Sequence, residues 1–132
     1  MSEVHSTNRV VVSCIADGAI AQGHCVNLVS NTGGEKHVEQ SHAANSAWGV
    51  YIGEQAAAQY DHVEICIFGP CKAWLDGAIT LDPPLNLAND ADGHVIADTT
   101  NAHRCIGWAM EDNGATENYG EIFVLVHDIS NA

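Results

Sequence analysis

Basic residues are scarce in this chain. Arg9, Lys36, Lys72 and Arg104 stand against 17 acidic residues, and the formal net charge is −13. No two of the four bases are close in sequence. The chain therefore lacks the cationic stripe of a nucleic-acid binder, and contact with a phosphate backbone is repulsive overall. A charge of one sign keeps copies apart in solution. No run of 18 apolar residues occurs, so no membrane-spanning helix is expected. The opening segment Met1 to Asn8 is polar and lacks the apolar stretch of a secretion signal. Cys-x-x-Cys spacing is also missing. The odd set Cys14, Cys25, Cys66, Cys71 and Cys105 fits neither a zinc module nor a paired disulfide framework. Cys14, Cys25, Cys66 and Cys105 lie in apolar runs, where a thiol behaves as a small buried hydrophobe, and a reducing compartment is expected. No segment carries helical periodicity over the length a stable helix needs.

What the chain does have is internal repetition. Asp17-Gly18-Ala19-Ile20 returns as Asp76-Gly77-Ala78-Ile79, and Asn27-Leu28 as Asn86-Leu87. His37-Val38 returns as His94-Val95, Gly49 as Gly107, and the alternating Val63, Ile65, Ile67 as Ile122, Val124, Val126. The spacing stays near about 59 residues, which calls for a repeat reading first. Two copies are too few for an open solenoid, so two halves closing on each other in one compact unit are expected. A chain of 132 residues buries roughly two-thirds of its unfolded surface and needs no disulfide staples. The expected organisation is an arm over 1–9 and a single β-rich domain over 10–132, with repeats at about 14–70 and 73–130.

The segments themselves read as strands. Val10 to Ile15 is rich in β-branched residues, and His24 to Val29, Trp48 to Ile52 and His62 to Phe68 follow. Gly69-Pro70 is expected to break the last of these, with Cys71 to Leu75 resuming. Cys105 to Met110 and Glu121 to Val126 complete the second copy, and Glu54 to Gln59 is expected to add one or two helical turns. Short strands punctuated by turn residues point to an all-β barrel or sandwich with little helix. Phe123 and Leu125 make the second face of the final strand apolar, so a second sheet or a neighbouring subunit is expected to cover it.

Reactive constellations are sparse. The eight histidines form neither His-x-His nor His-Glu-x-x-His, and no metal site is expected from them. Asn89-Asp90-Ala91-Asp92-Gly93 imitates part of a calcium loop. Aligned on its glycine, it puts Ala88 and Thr99 where acidic ligands belong, so it reads as a plain turn. There is no Gly-x-Ser-x-Gly elbow and no phosphate-cradling glycine loop. Trp48, Trp74 and Trp108 are expected in core or interface, where a Trp buries a large area. No catalytic residue, cofactor or enzymatic activity is expected. The alternatives are a carbohydrate-binding β-module using the three tryptophans, and a small metal-dependent β-barrel enzyme using His and Cys.

Taken together, the paired Asp-Gly-Ala-Ile openings, the following strands, the glycine-bearing strands around Gly49 and Gly107 and the apolar closing strands resemble the head-decoration, or capsid-cement, proteins of tailed bacteriophages. The resemblance spans about residues 10 to 127. It implies a β-rich subunit, commonly a homotrimer, made in the host cytoplasm. Such a subunit sits on the outer capsid surface of the virion, contacts the major capsid protein and bridges capsomers against genome pressure. It implies neither a nucleic-acid nor a membrane partner.

The expected contact residues are Asn8, Arg9, Val10, Val11 and Val12 at the end of the arm, with Trp74, Pro83, Pro84, Phe123 and Leu125. An extended arm of ten residues reaches at most about 33–36 Å, far enough to add a strand to a neighbouring sheet edge. Removing residues 1–9 is expected to abolish shell binding while leaving the domain folded. Full binding of the truncated chain in a cosedimentation assay would refute that role for the arm.

Overall fold

The computed structural model describes residues 9–30, 32–81, 86–98, 104–114 and 116–128. Among the described residues nine strands form a single sheet: β1 (Val10–Ala16), β2 (Cys25–Ser30), β3 (His37–Gln40), β4 (Gly49–Tyr51), β5 (His62–Leu75), β6 (Asn86–Asn89), β7 (Val95–Ala97), β8 (Arg104–Ala109) and β9 (Asn118–Asp128). No α-helix occurs among the described residues; a short 3-10 turn covers Thr32–Gly34. The expected helical turns at Glu54 to Gln59 do not form. Ala57 instead exchanges both backbone hydrogen bonds with Ile20, at 2.8 and 3.0 Å.

The pairing closes twice. One ring runs β1-β3-β2-β4-β5 and returns to β1; the other runs β5-β7-β6-β8-β9 and returns to β5. Both rings are built alike. A parallel pair joins Ala16 to Val38 in the first and Leu75 to Val95 in the second. Isolated bridges at Ile20–Ala57 and Ile79–Asn113 add a further matching contact. The repeated Asp-Gly-Ala-Ile motif therefore has one structural job. Its Asp donates a backbone hydrogen bond across the parallel pair, Asp17 to Val38 O at 2.8 Å and Asp76 to Val95 O at 2.9 Å. Its Ile then fills the core of its ring, and both Ile20 and Ile79 are fully buried.

Strand register corrects two of the sequence matches. Val26 lies opposite Gly49 as Leu87 lies opposite Gly107, so Leu87 answers Val26 and not Leu28. Val12 faces Ile65 as Cys71 faces Ile122, so Ile122 answers Ile65 and not Val63. Each slip is even, so the inward set of side chains is preserved and the sequence comparison could not register the error.

The break expected at Gly69-Pro70 is also absent: β5 runs unbroken through it for 14 residues. Phe68 is the changeover point, paired to Val10 of β1 on one edge and to Leu125 of β9 on the other. Among the described residues the β1 edge has no ladder partner beyond Phe68 until Val95 meets Leu75. Pro70 sits in that vacancy, where a missing N–H forfeits no ladder bond. Its carbonyl accepts from Arg9 Nη1 at 3.4 Å. Gly69 carries the bend at φ 107°, a conformation glycine adopts without steric cost.

Each ring has its own core. Cys14, Ala16, Ile20, Val26, Val38, Val63 and Ile65 pack in the first. The second gathers Leu75, Ile79, Leu87, Val95, Ile106, Ile122 and Val124, and also Cys25, Ala47, Val50 and Cys66 from the first half. Cys25, Val50 and Cys66 belong to strands of the first ring but turn their side chains away from its core, and with Ala47 they form the apolar part of the seam. Asn89 supplies the polar part. Its Oδ1 accepts from the N–H groups of Ser46 and Ala47 at 2.9 and 3.0 Å, and its Nδ2 donates to the carbonyls of Ala43 and Asp90 at 2.9 Å each. Every hydrogen-bonding position of this buried amide is thus used. The backbone adds Cys25 N–H to Gly93 O and Trp74 N–H to Gly23 O, both at 2.8 Å.

The recurrent glycines are packing requirements. A Cβ on Gly49 would lie 2.6 Å from the Ile65 side chain, and one on Gly107 would lie 1.9 Å from Phe123 O, with φ at +154°. Gly107→Ala is expected to destabilise the fold by about 2–4 kcal/mol, because a core strand must move to admit the methyl. Gly18→Ala, with nothing within 4 Å of its new Cβ, is expected to change stability by less than about 0.5 kcal/mol, and urea titration of both variants checks the contrast.

Candidate interaction site

Alternation along β5 turns Phe68, Pro70, Lys72 and Trp74 to the outside. β9 brings Leu125, Phe123, Glu121 and Tyr119 directly opposite them, in that order. Val10 of β1 flanks Phe68, and Trp108 of β8 flanks Phe123. The result is an apolar outer face over the seam where the two rings join. Val10, Phe68 and Trp108 remain 49%, 42% and 37% exposed, high values for apolar side chains grouped on one surface.

The rings on this face are ordered by one another. Phe68 and Phe123 meet edge to face at 5.3 Å, and Trp108 stacks on His127 at 5.2 Å. Trp74 lies at the far end of the β5 row, stacked on His24 at 6.2 Å and tied through Nε1–H to Glu117 Oε1 at 2.7 Å. Two of the four basic residues border the face. Arg9 holds the Pro70 carbonyl, and Lys72 Nζ lies 5.7 Å from the Tyr119 ring centroid. In so acidic a chain this is a local relief of negative charge.

Of the contact residues expected from sequence, Arg9, Val10, Phe123 and Leu125 come together here. Trp74 shares their β5–β9 surface but stands apart at its end. Val11 lies opposite Cys66 and is half-buried. Val12 turns inward against the first core, because alternate residues of a strand face opposite ways, so it does not join the face. Asn8, Pro83 and Pro84 lie outside the described residues. Phe68 and Pro70 were not among the expected contact residues, and Trp108 was expected only as one of three tryptophans in core or interface. The signal for Phe68 was present in the alternation of His62, Glu64, Cys66 and Phe68.

The titratable groups sort by burial. Desolvation holds His24 below the ordinary histidine range, which favours the neutral ring; its Nδ1 lies 2.9 Å from Gln22 O. All five cysteines are buried thiols outside any disulfide. At the seam a hydrogen bond from Cys71 lowers the Cys66 thiol pKa, while the same bond and burial push Cys71 up. Among the described residues, one group could hold a metal ion: Asp76, Asp90 and His94, whose ligand atoms all lie within 4.8 Å of one another.

No protein-family model matches the chain. No curated protein matches it by sequence. Among solved structures it is similar to the crystal structure of the head fiber gp8.5 N base in bacteriophage phi29, with a TM-score of 0.61 and 12% sequence identity. The match covers 87% of this chain and 92% of that one. It establishes a shared fold across nearly the whole of both chains.

Proposed function

We propose that this chain is a bacteriophage head protein that attaches to the outer capsid surface as a decoration, or cement, subunit. The observation that carries the reading is the likeness in fold, over 87% of the chain, to the base of a phage head fiber. The apolar face over the seam supports it. A protein whose work is attachment needs an exposed apolar surface rimmed by polar groups. Repetition over many identical capsid sites turns a modest contact into a large stabilisation of the shell. The occupants in this reading are the major capsid protein and further copies of the chain arranged as a homotrimer. The work is binding, without a catalytic step.

Charge sets the conditions. Subunits of formal charge −13 repel one another, and salt screens that repulsion over about 8–10 Å. Light scattering is expected to find a particle of three times 14.0 kDa, with the assembled fraction rising from low to physiological salt. Loss of assembly over that range would remove the apolar subunit contact from the reading. The capsid contact is tested separately by cosedimentation with genome-free shells of the parent phage. Phe68→Asp is expected to weaken shell binding by at least about tenfold with little change in melting temperature, because Phe68 is exposed and outside both cores. Undiminished binding by this variant would exclude the seam face as the attachment surface.

A further inference from the structure

The duplication provides an internal control for one cluster of side chains. Asp17 and His37 in the first ring correspond to Asp76 and His94 in the second. Each Asp directly follows the strand that opens its ring, and each His sits beside the valine of the parallel pair. In the first ring His37 Nδ1 lies 2.6 Å from Asp17 Oδ1, an ordinary strong hydrogen bond. In the second ring the same nitrogen, His94 Nδ1, is shut off from solvent and hydrogen-bonds to no described group. It faces two carboxylate oxygens instead, Asp76 Oδ2 at 3.2 Å and Asp90 Oδ2 at 3.3 Å. A buried ring nitrogen without a hydrogen bond calls for a reason, since such atoms are normally satisfied.

The distances supply one. A divalent ion bound to imidazole nitrogen and carboxylate oxygen at about 2.0–2.2 Å keeps those ligand atoms about 3–3.5 Å apart. That is the separation of His94 Nδ1 from each carboxylate, and it is longer than the hydrogen bond its twin makes. The third ligand is also aimed. Asp90 Oδ1 accepts from the N–H groups of Asp92 and His94, both at 2.9 Å, which leaves Oδ2 turned to the cluster. The twin ring has no counterpart of Asp90: by register its second strand carries Leu28 where β6 carries Asn89, and Val29 follows.

We propose that Asp76, Asp90 and His94 form a binding site for a divalent transition cation of the Zn2+ class. One imidazole and two carboxylates suit such an ion better than Ca2+ or Mg2+, which take oxygen ligands alone. The ion joins the end of β5, the β6–β7 turn and the start of β7. That turn is already fastened to the first ring through Gly93 O, and His94 packs edge-on against His24 at 4.8 Å. Binding therefore tightens the seam. The site lies past Trp74 at the end of β5, and the inference does not depend on attachment to a phage head.

The test is calorimetric titration of the metal-free, full-length chain with Zn2+, with melting temperature as a second readout. The expected result is about one ion per chain and a rise of about 5 °C or more at a hundredfold excess over Kd. Asp76→Asn and Asp90→Asn are expected to weaken binding by at least about tenfold. In the second of these the new amide oxygen can still accept from the N–H groups of the turn, so the fold of that variant is retained. His37→Gln, which breaks the twin pair, is expected to leave affinity unchanged. No uptake by the wild-type chain would overturn the site. So would affinity unaltered in both asparagine variants, or an equal loss in His37→Gln.

Discussion

One strand has to serve as a wall of two barrels, and most of the structure follows from that demand. β5 changes partners at Phe68, where β1 and β9 grip opposite edges of the same residue. A strand shared in this way cannot be apolar on one face only. Val63 and Ile65 fill the first core, Cys71, Ala73 and Leu75 fill the second, and Cys66, on the other face from Ile65, is covered by the second ring. Gly69 and Pro70 are the local means of the changeover. One gives the backbone a conformation open to glycine, and the other occupies a stretch of edge that has no ladder partner.

The seam accounts for two differences between the halves. Each ring alone repeats the same pairings, but the surfaces that meet are not equivalent. Asn89 occupies the register position of Leu28. As a buried amide it ties four backbone groups, including three from the loop before β4. Leu28, free of that duty, is exposed. The Asp–His pair has diverged in the same way. In the first ring it is a closed hydrogen bond; in the second, Asp90 enters from the seam-bound turn and spreads the pair into a three-ligand cluster. At both positions the difference lies where the copies touch.

The seam also concentrates the surface features relevant to binding. The outward side of the shared strand collects Phe68, Phe123 and Leu125, and β1 begins beside them at Val10. Arg9, directly before Val10, reaches the same face through the Pro70 carbonyl. The proposed attachment surface is thus apolar with two bases at its border, in a chain whose charge is otherwise strongly negative. This spatial coincidence is the physical content behind reading the protein as an adhesive subunit.

Much of the fold was legible in the residues: the β class from short β-branched runs, the duplication from Asp-Gly-Ala-Ile, and the tight packing at Gly49 and Gly107 from their recurrence within strands. Part of the face was legible too, because Phe123 and Leu125 made a strand apolar on both sides. The continuity of β5 was not. Gly-Pro breaks a strand unless one edge is vacant, and vacancy is a property of neighbours distant in sequence. The even slips in register were hidden for a related reason, since alternation of period two looks the same after a shift of two. The Asp76–Asp90–His94 cluster was half visible, in that Asp17 with His37 and Asp76 with His94 recur together. Asp90 belongs to no repeated motif, and only closure of the second ring carries it to the other two. Sequence alone determined the alternating pattern and the duplication, because both are properties of order along the chain. Tertiary structure decided which face is shared, which is exposed and which carboxylates meet, because these depend on how two rings share a single strand.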